Sequence, residues 1–270
     1  MLLAIDVGNT NTTLGLFEGE RLVADFRLQS RRDSTGDEFA ALIASLLITK
    51  GYALSDVTGM ALAYVVPPVG GALRELAARY LSVEPFVVSA QTDTGLTNRY
   101  HPPQAVGADR IVNAYAARVL YGEADGKQAA CVVVDYGTAT TFDAVTAWGE
   151  YLGGAILPGI GISMDALFSR AALLSQVELS PPAAAIGTNT ADALRSGILF
   201  GYAAQTDGMA ARFVAELRGA EGGAVRVIAT GGIAPLIAPY TTCIEIVDVN
   251  LTLTGLRLLW EREQMRRTDE

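Results

Sequence analysis

Two segments carry residue types that could hold a phosphate. Asp6-Val-Gly-Asn-Thr-Asn-Thr-Thr13 follows an apolar run at 2–5, and Asp135-Tyr-Gly-Thr-Ala-Thr-Thr141 follows another at 131–134. Gly8 and Gly137 let the backbone come close to a ligand, and the N–H groups and threonine hydroxyls that follow can donate to phosphoryl oxygens. A bare carboxylate would repel a polyphosphate, so Asp6 and Asp135, at the strand ends, are expected to hold cations against it. An Asp-Gly turn is also a common structural device, and the second copy is what favours the chemical reading. A third segment, Gly107-Ala-Asp-Arg110, sets a carboxylate beside a guanidinium. Asp109 falls in the first turn of an expected helix, where the macrodipole favours the ionised form and lowers basicity. By itself this segment reads as a helix-start carboxylate with no chemical part.

These turns need strands to carry them. Residues 2–6, 12–18 and 21–28 read as a three-strand meander with a polar turn at Glu18-Gly19-Glu20. A second meander begins at Gln128 and turns at Trp148-Gly149-Glu150. Apolar spacing and turn residues predict helices over 37–49, 70–80, 107–121, 163–174, 188–217 and 251–266, and strands over 57–66, 85–88, 225–229 and 244–247. Residues 89–104 read as a long loop, and loops of that length are often functional. Gly197, Gly201 and Gly208 are expected to mark close packing along the 188–217 helix. Gly153, Gly154, Pro158 and Gly159 read either as the floor of a site or as turn residues. The whole predicts an α/β protein of two related domains, 1–112 and 113–270, whose facing turns would grip a nucleotide in a cleft.

Composition removes several classes of function. The formal net charge of −9 argues against non-specific nucleic-acid binding, which needs a basic surface. Lys50 and Lys127 are the only lysines, and neither follows a glycine-rich turn, so there is no P-loop. Backbone N–H groups and metal ions would have to offset most of any phosphate charge. His101 is the only histidine, which rules out a cluster of histidine ligands. Cys131 and Cys243 show no metal or redox spacing, and Cys131 reads as a small core residue in a reducing compartment. The N-terminal apolar run stops at Asp6 and lacks a basic leader, and no apolar stretch approaches membrane-spanning length. The expectation is a cytoplasmic protein without membrane partners.

Duplicated domains with two Asp-x-Gly turns and a late Thr230-Gly231-Gly232 resemble the actin–hexokinase–Hsp70 ATPase superfamily, built on duplicated ribonuclease-H-like domains. Five ordered segments narrow the resemblance: Asp6-Val-Gly-Asn-Thr10, Gly107-Ala-Asp-Arg110, Asp135-Tyr-Gly-Thr-Ala-Thr-Thr141, Gly153-Gly-Ala-Ile-Leu-Pro-Gly159 and Asn250-Leu-Thr-Leu-Thr-Gly-Leu256. Together they resemble type III pantothenate kinase, from the first strand to the last helix.

That resemblance implies ATP-dependent phosphorylation of pantothenate, the first step toward coenzyme A. It implies a homodimer, Mg²⁺ or a similar divalent ion, and a monovalent cation such as K⁺ or NH₄⁺. It makes Asp109 the general base. Asp6, Val7, Gly8, Asn9, Thr10, Asn11, Thr12, Thr13 and Thr138 would contact ATP, with Asp6 also on Mg²⁺ and Asp135 on the monovalent cation. Tyr100, Gly107, Ala108, Asp109, Arg110 and Thr190 would contact pantothenate, Arg110 through its carboxylate. Thr190 also reads as a helix N-cap, and Gly231 and Gly232 would admit the adenosine part. Asp143 reads as structural. Position 13 is Thr, so no cationic side chain supplements the first turn. Other readings are a kinase of the same superfamily acting on another small alcohol or acid, a catalytically silent regulatory relative, and an actin-like filament protein.

Overall fold

The structure is a computed structural model that describes residues 1–170 and 177–269. The strands in chain order are β1 (Leu2–Val7), β2 (Asn11–Glu18), β3 (Arg21–Gln29), β4 (Gly59–Tyr64), β5 (Phe86–Val88), β6 (Thr97–Asn98), β7 (Glu123–Ala124), β8 (Lys127–Gln128), β9 (Ala130–Tyr136), β10 (Ala139–Val145), β11 (Glu150–Pro158), β12 (Val225–Thr230) and β13 (Ile246–Val247). The helices are α1 (Gly36–Thr49), α2 (Pro67–Leu76), α3 (Ala108–Tyr121), α4 (Ile160–Arg170), α5 (Thr190–Glu221), α6 (Ala234–Ile237) and α7 (Leu251–Asp269). Of the helix expected over 163–174, residues 171–174 lie outside the described residues.

The chain forms two compact units. One comprises Met1–Thr94, His101–Ala116 and Thr252–Glu270, the other Gly95–Tyr100 and Ala117–Leu251. This differs from a single cut at residue 112. The chain crosses more than once, because α7 buries Leu253, Leu256 and Leu259 against the first sheet rather than the second.

The duplication is written in the topology. The first unit's sheet has the order β3-β2-β1-β4-β5, and the second unit's sheet runs β13-β12-β9-β10-β11-β6. Read from the opposite end, β11-β10-β9-β12-β13 repeats the first order, with β6 added at one edge. Antiparallel and parallel pairings repeat as well: β1 is antiparallel to β2 and parallel to β4, and β9 is antiparallel to β10 and parallel to β12. The central strands are almost wholly apolar because helices cover both faces of the sheet.

Local chemistry sets the element ends. Thr35 and Glu38 close a reciprocal capping box at the start of α1, which buries Phe39, Ala40, Ile43 and Leu47. Pro67 and Pro68 open α2, where their missing N–H groups cost nothing. Asn189, rather than Thr190, caps α5: its side chain accepts from the Asp192 N–H at 2.9 Å. The same helix stops at Gly222 in the left-handed conformation, φ 69°.

Two expectations about glycine change. A β-carbon at Gly197, Gly201 or Gly208 would meet nothing within 4 Å, so these residues do not mark close packing. The glycine-rich 153–158 stretch belongs to β11, not to a turn, and the β10–β11 pairing shifts register beside Gly153, whose φ is +108°.

Candidate active site

In the first unit, Asp6, Thr13 and Arg27 stand opposite one another across β1, β2 and β3. Directly opposed residues of antiparallel strands project to one face. Leu2 and Ala4 share that face by the period-two rule, and they pack with Ala108, Val112 and Leu256. So α3, with Asp109 in its first turn, covers the sheet face that bears Asp6. Val65 links the ends of β1 and the start of α3. Its N–H donates to the Val7 carbonyl at 3.0 Å, and its methyl carbon lies 3.9 Å from the place of a β-carbon on Gly107.

Asp109 is folded back over Gly107. Its Oδ1 accepts the Arg110 N–H at 2.8 Å and lies 2.5 Å from where a Gly107 β-carbon would stand. Burial raises the Asp109 pKa above the ordinary carboxylate value; the Arg110 N–H and guanidinium act in the other direction and do not cancel it. Desolvation thus acts against the helix start, in the direction of a more basic carboxylate. Arg110 itself is buried, with 7% exposure.

The first turn closes through the Gly8 N–H, which donates to the Asn11 carbonyl at 2.9 Å. Asn9, Thr10 and Asn11 are exposed, whereas Val7 is core and Thr12 is fully buried. The Thr12 hydroxyl bonds Ser30 Oγ at 2.9 Å. Val7 could therefore meet a nucleotide only through its backbone, and the Thr12 hydroxyl is turned into the protein.

The second turn is one residue shorter. Gly137 N–H donates to the Ala139 carbonyl at 3.0 Å, and Thr138 is exposed. Asp135 stands opposite Thr141 on β10 and Thr230 on β12. Gly231, at φ +91°, lies so close that a β-carbon would be 2.7 Å from Asp135 Oδ1 and 2.6 Å from the Tyr136 carbonyl oxygen. Two oxygens thus crowd the place that a side chain at position 231 would take. Among the described residues no group of three His, Cys, Asp or Glu side chains could hold a metal ion. A hard divalent ion that takes one carboxylate and completes its shell with phosphate and water fits that arrangement.

Tyr100 belongs to the second unit. Its ring packs where Gly153 has no side chain, 2.8 Å from the ideal β-carbon, and lies 6.4 Å from the ring of Tyr151. The Tyr151 hydroxyl donates to Asp143 Oδ1 at 2.6 Å, and the Thr141 hydroxyl to Asp143 Oδ2 at 3.2 Å. Asp143, 1% exposed, is thereby a structural anchor that connects the second turn to the strand behind Tyr100. The Arg99 guanidinium also ties this segment to Glu150 at 2.9 Å. Thr190 is exposed at the first position of α5. Cys131 is a buried core residue whose thiol donates to the Ala117 carbonyl, and burial pushes its pKa up to about 12. Sequence reading missed Ser30, Arg27 and Tyr151, whose places depend on strand register.

The family model for type III pantothenate kinase matches residues 2–212. The type III pantothenate kinase of Moorella thermoacetica is 47% identical over 262 residues, covering 97% of this chain and 99% of that protein. That of Rubrobacter xylanophilus is 48% identical over 263 residues, covering 96% and 97%. Among solved structures, component A of (R)-2-hydroxyglutaryl-CoA dehydratase from Acidaminococcus fermentans superposes with a TM-score of 0.56 at 14% identity, covering 97% of this chain and 98% of that one. The ethanolamine utilization protein EutJ from Carboxydothermus hydrogenoformans gives 0.51 at 14% identity, covering 95% and 89%. At such identities the structural likeness speaks for the fold alone, a two-domain actin-like fold.

Proposed function

The chain belongs to the type III pantothenate kinase family, and from that premise we propose that Asp109 is the base that takes the proton of the attacking hydroxyl. The protein is a kinase that phosphorylates pantothenate with ATP and a divalent metal, in coenzyme A biosynthesis. The readings as a kinase of another small alcohol or acid, a regulatory relative and a filament protein give way to that assignment.

Phosphoryl transfer needs little covalent help from the protein, so positioning and charge carry most of the rate. Backbone N–H groups of the exposed residues Asn9, Thr10 and Asn11 would donate to phosphoryl oxygens of ATP, with Thr138 adding a contact from the second turn. A divalent ion, when bound, supplies neutralising charge at the phosphates, and Asp6 would hold it. A monovalent cation, when bound, adds charge that the missing lysines do not, and Asp135 with the Tyr136 carbonyl would hold it. Arg110 would orient the pantothenate carboxylate, with Tyr100 and Thr190 as further substrate contacts.

Asp109 accepts the proton as the oxygen–phosphorus bond forms. Its raised pKa places it nearer the pH at which a base is both ionised and able to take a proton. The observation that carries this reading is the half-buried Asp109 carboxylate, oriented by the Arg110 N–H at the start of the helix whose Ala108 and Val112 pack on the sheet face that bears Asp6. ADP release by Asp109→Asn tests it: pantothenate-dependent turnover at the wild-type rate would remove Asp109 from the chemistry.

The working form proposed is a cytoplasmic homodimer. Leu152 and Ile156 on β11, with Ile162 and Leu167 on α4, are exposed apolar side chains of the kind a partner surface covers. Ile156→Asp should shift the protein from dimer to monomer in light-scattering chromatography. An unchanged dimer mass would place the interface elsewhere.

A further inference from the structure

Ser30 follows β3, and both of its donors are spent on the first phosphate turn. Its N–H donates to the Thr10 carbonyl at 2.9 Å, and its hydroxyl donates to the Gly8 carbonyl at 2.7 Å. A serine hydroxyl has one proton, so in the 2.9 Å contact with Thr12 the threonine is the donor. The result is a chain that runs from the Thr12 hydroxyl to the Ser30 hydroxyl to the Gly8 carbonyl. The Gly8 N–H in turn holds the Asn11 carbonyl at 2.9 Å. Three carbonyls of the turn, those of Gly8, Thr10 and Asn11, are thereby bound to the protein itself.

This has a stereochemical result. In a trans peptide the N–H points opposite to the carbonyl of the same plane. With the Gly8 and Thr10 carbonyls held against Ser30, the N–H groups of Asn9 and Asn11 point away from it, on a turn whose residues 9–11 are exposed. A turn that points its N–H groups outward and its carbonyls inward attracts an anion; the reverse would repel one.

We propose that Ser30 is a positioning residue for the first phosphate turn. It fixes the two peptide planes that present N–H groups to the polyphosphate of ATP. This deepens the functional reading above and rests on it for the identity of the nucleotide. Ser30 acts only through the turn, so the inference concerns ATP and leaves pantothenate untouched.

The test compares wild type with Ser30→Ala, Ser30→Thr and Ser30→Val. Thr and Val have the same shape and differ in the hydroxyl, so that pair separates the donor from packing. Equilibrium binding of MgATP without acceptor, then the KM for ATP and for pantothenate, are measured beside the melting temperature. Loss of one oriented hydrogen bond is expected to weaken ATP binding about tenfold in Ala and Val. The KM for pantothenate should stay at the wild-type value, and Thr should bind ATP as wild type does. Equal ATP binding in Thr and Val would overturn the proposal, whatever their melting temperatures. A parallel rise in both KM values would overturn it as well, since that reports a general loss of structure. Wild-type protein that binds ATP but leaves pantothenate unphosphorylated would count against the functional reading and leave the Ser30 comparison intact.

Discussion

Gly231 and Asp135 meet with no room for a side chain between them: a β-carbon at 231 would stand 2.7 Å from the Asp135 Oδ1. The glycine is also at φ +91°, a conformation that other residues rarely adopt. Gly231→Ala should therefore destabilise the second unit by roughly 1–3 kcal/mol from backbone strain alone. It should also displace the carboxylate proposed to hold the monovalent cation. The expected signature is a raised K⁺ concentration for half-maximal activity, with catalysis recovering at high K⁺. An unchanged K⁺ requirement would separate Asp135 from cation binding. In wild type, full activity after replacing K⁺ with a large organic cation would contradict the cation assignment itself.

Gly107 and Asp109 give a more selective case. The place of a Gly107 β-carbon is 2.5 Å from Asp109 Oδ1, but the backbone there carries no positive φ. Gly107→Ala should fold normally and move only the carboxylate. A displacement of about 1 Å can cost roughly a hundredfold in rate. Kinetics with a melting curve would check this: kcat should fall while the melting temperature holds. Wild-type kcat in the variant would show that the seat of Asp109 is unimportant.

Asp109 should also leave a mark on stability against pH. Its folded-state pKa is raised by burial, so the folded protein binds this proton more tightly than the unfolded chain does. Stability from this group is therefore present at low pH and lost as pH rises through the raised value. Asp109→Asn removes that cost and should melt higher than wild type at neutral pH. The gap should close as pH falls toward about 4, the ordinary aspartate value. Chemical denaturation from pH 4 to 8 would show it, and a variant less stable than wild type at neutral pH would contradict the desolvation argument.

Tyr100 sits against Gly153, whose φ of +108° and close ring contact leave no place for a methyl group. Gly153→Ala should shift the Tyr100 ring and raise the KM for pantothenate several-fold, with the KM for ATP unchanged. Tyr151→Phe removes the donor to Asp143 without touching that backbone, and should produce a smaller change in the same constant. Equal effects on both substrates would point to general disorder of β11.

What the sequence shows and hides divides along a physical line. The duplicated halves were legible because an apolar strand followed by an Asp-x-Gly turn is a local pattern, and both copies fold as expected. Asp109 was legible as a helix-start residue, but its basicity was not, since desolvation depends on what packs over the carboxyl. Ser30 lies 22 residues from the carbonyl it holds. Arg27 reaches the row of Asp6 through strand register, so the first turn has a cationic neighbour on its sheet face that position 13 does not reveal. The return of α7 to the first unit is likewise a matter of packing, with Gly255 meeting Val112 and Ala116 where no side chain would fit. Thr190 reads from sequence as the cap of α5, but the Asn189 side chain fills that place through its bond to Asp192.

The most direct measurement is pantothenate-dependent ADP release by wild type and Asp109→Asn, with K⁺ present and with ATP binding measured in parallel. Turnover is expected in wild type, with a loss of about 10²–10⁴-fold in the variant and ATP affinity retained. Turnover in the variant within a few-fold of wild type would contradict the assignment of Asp109 as the base.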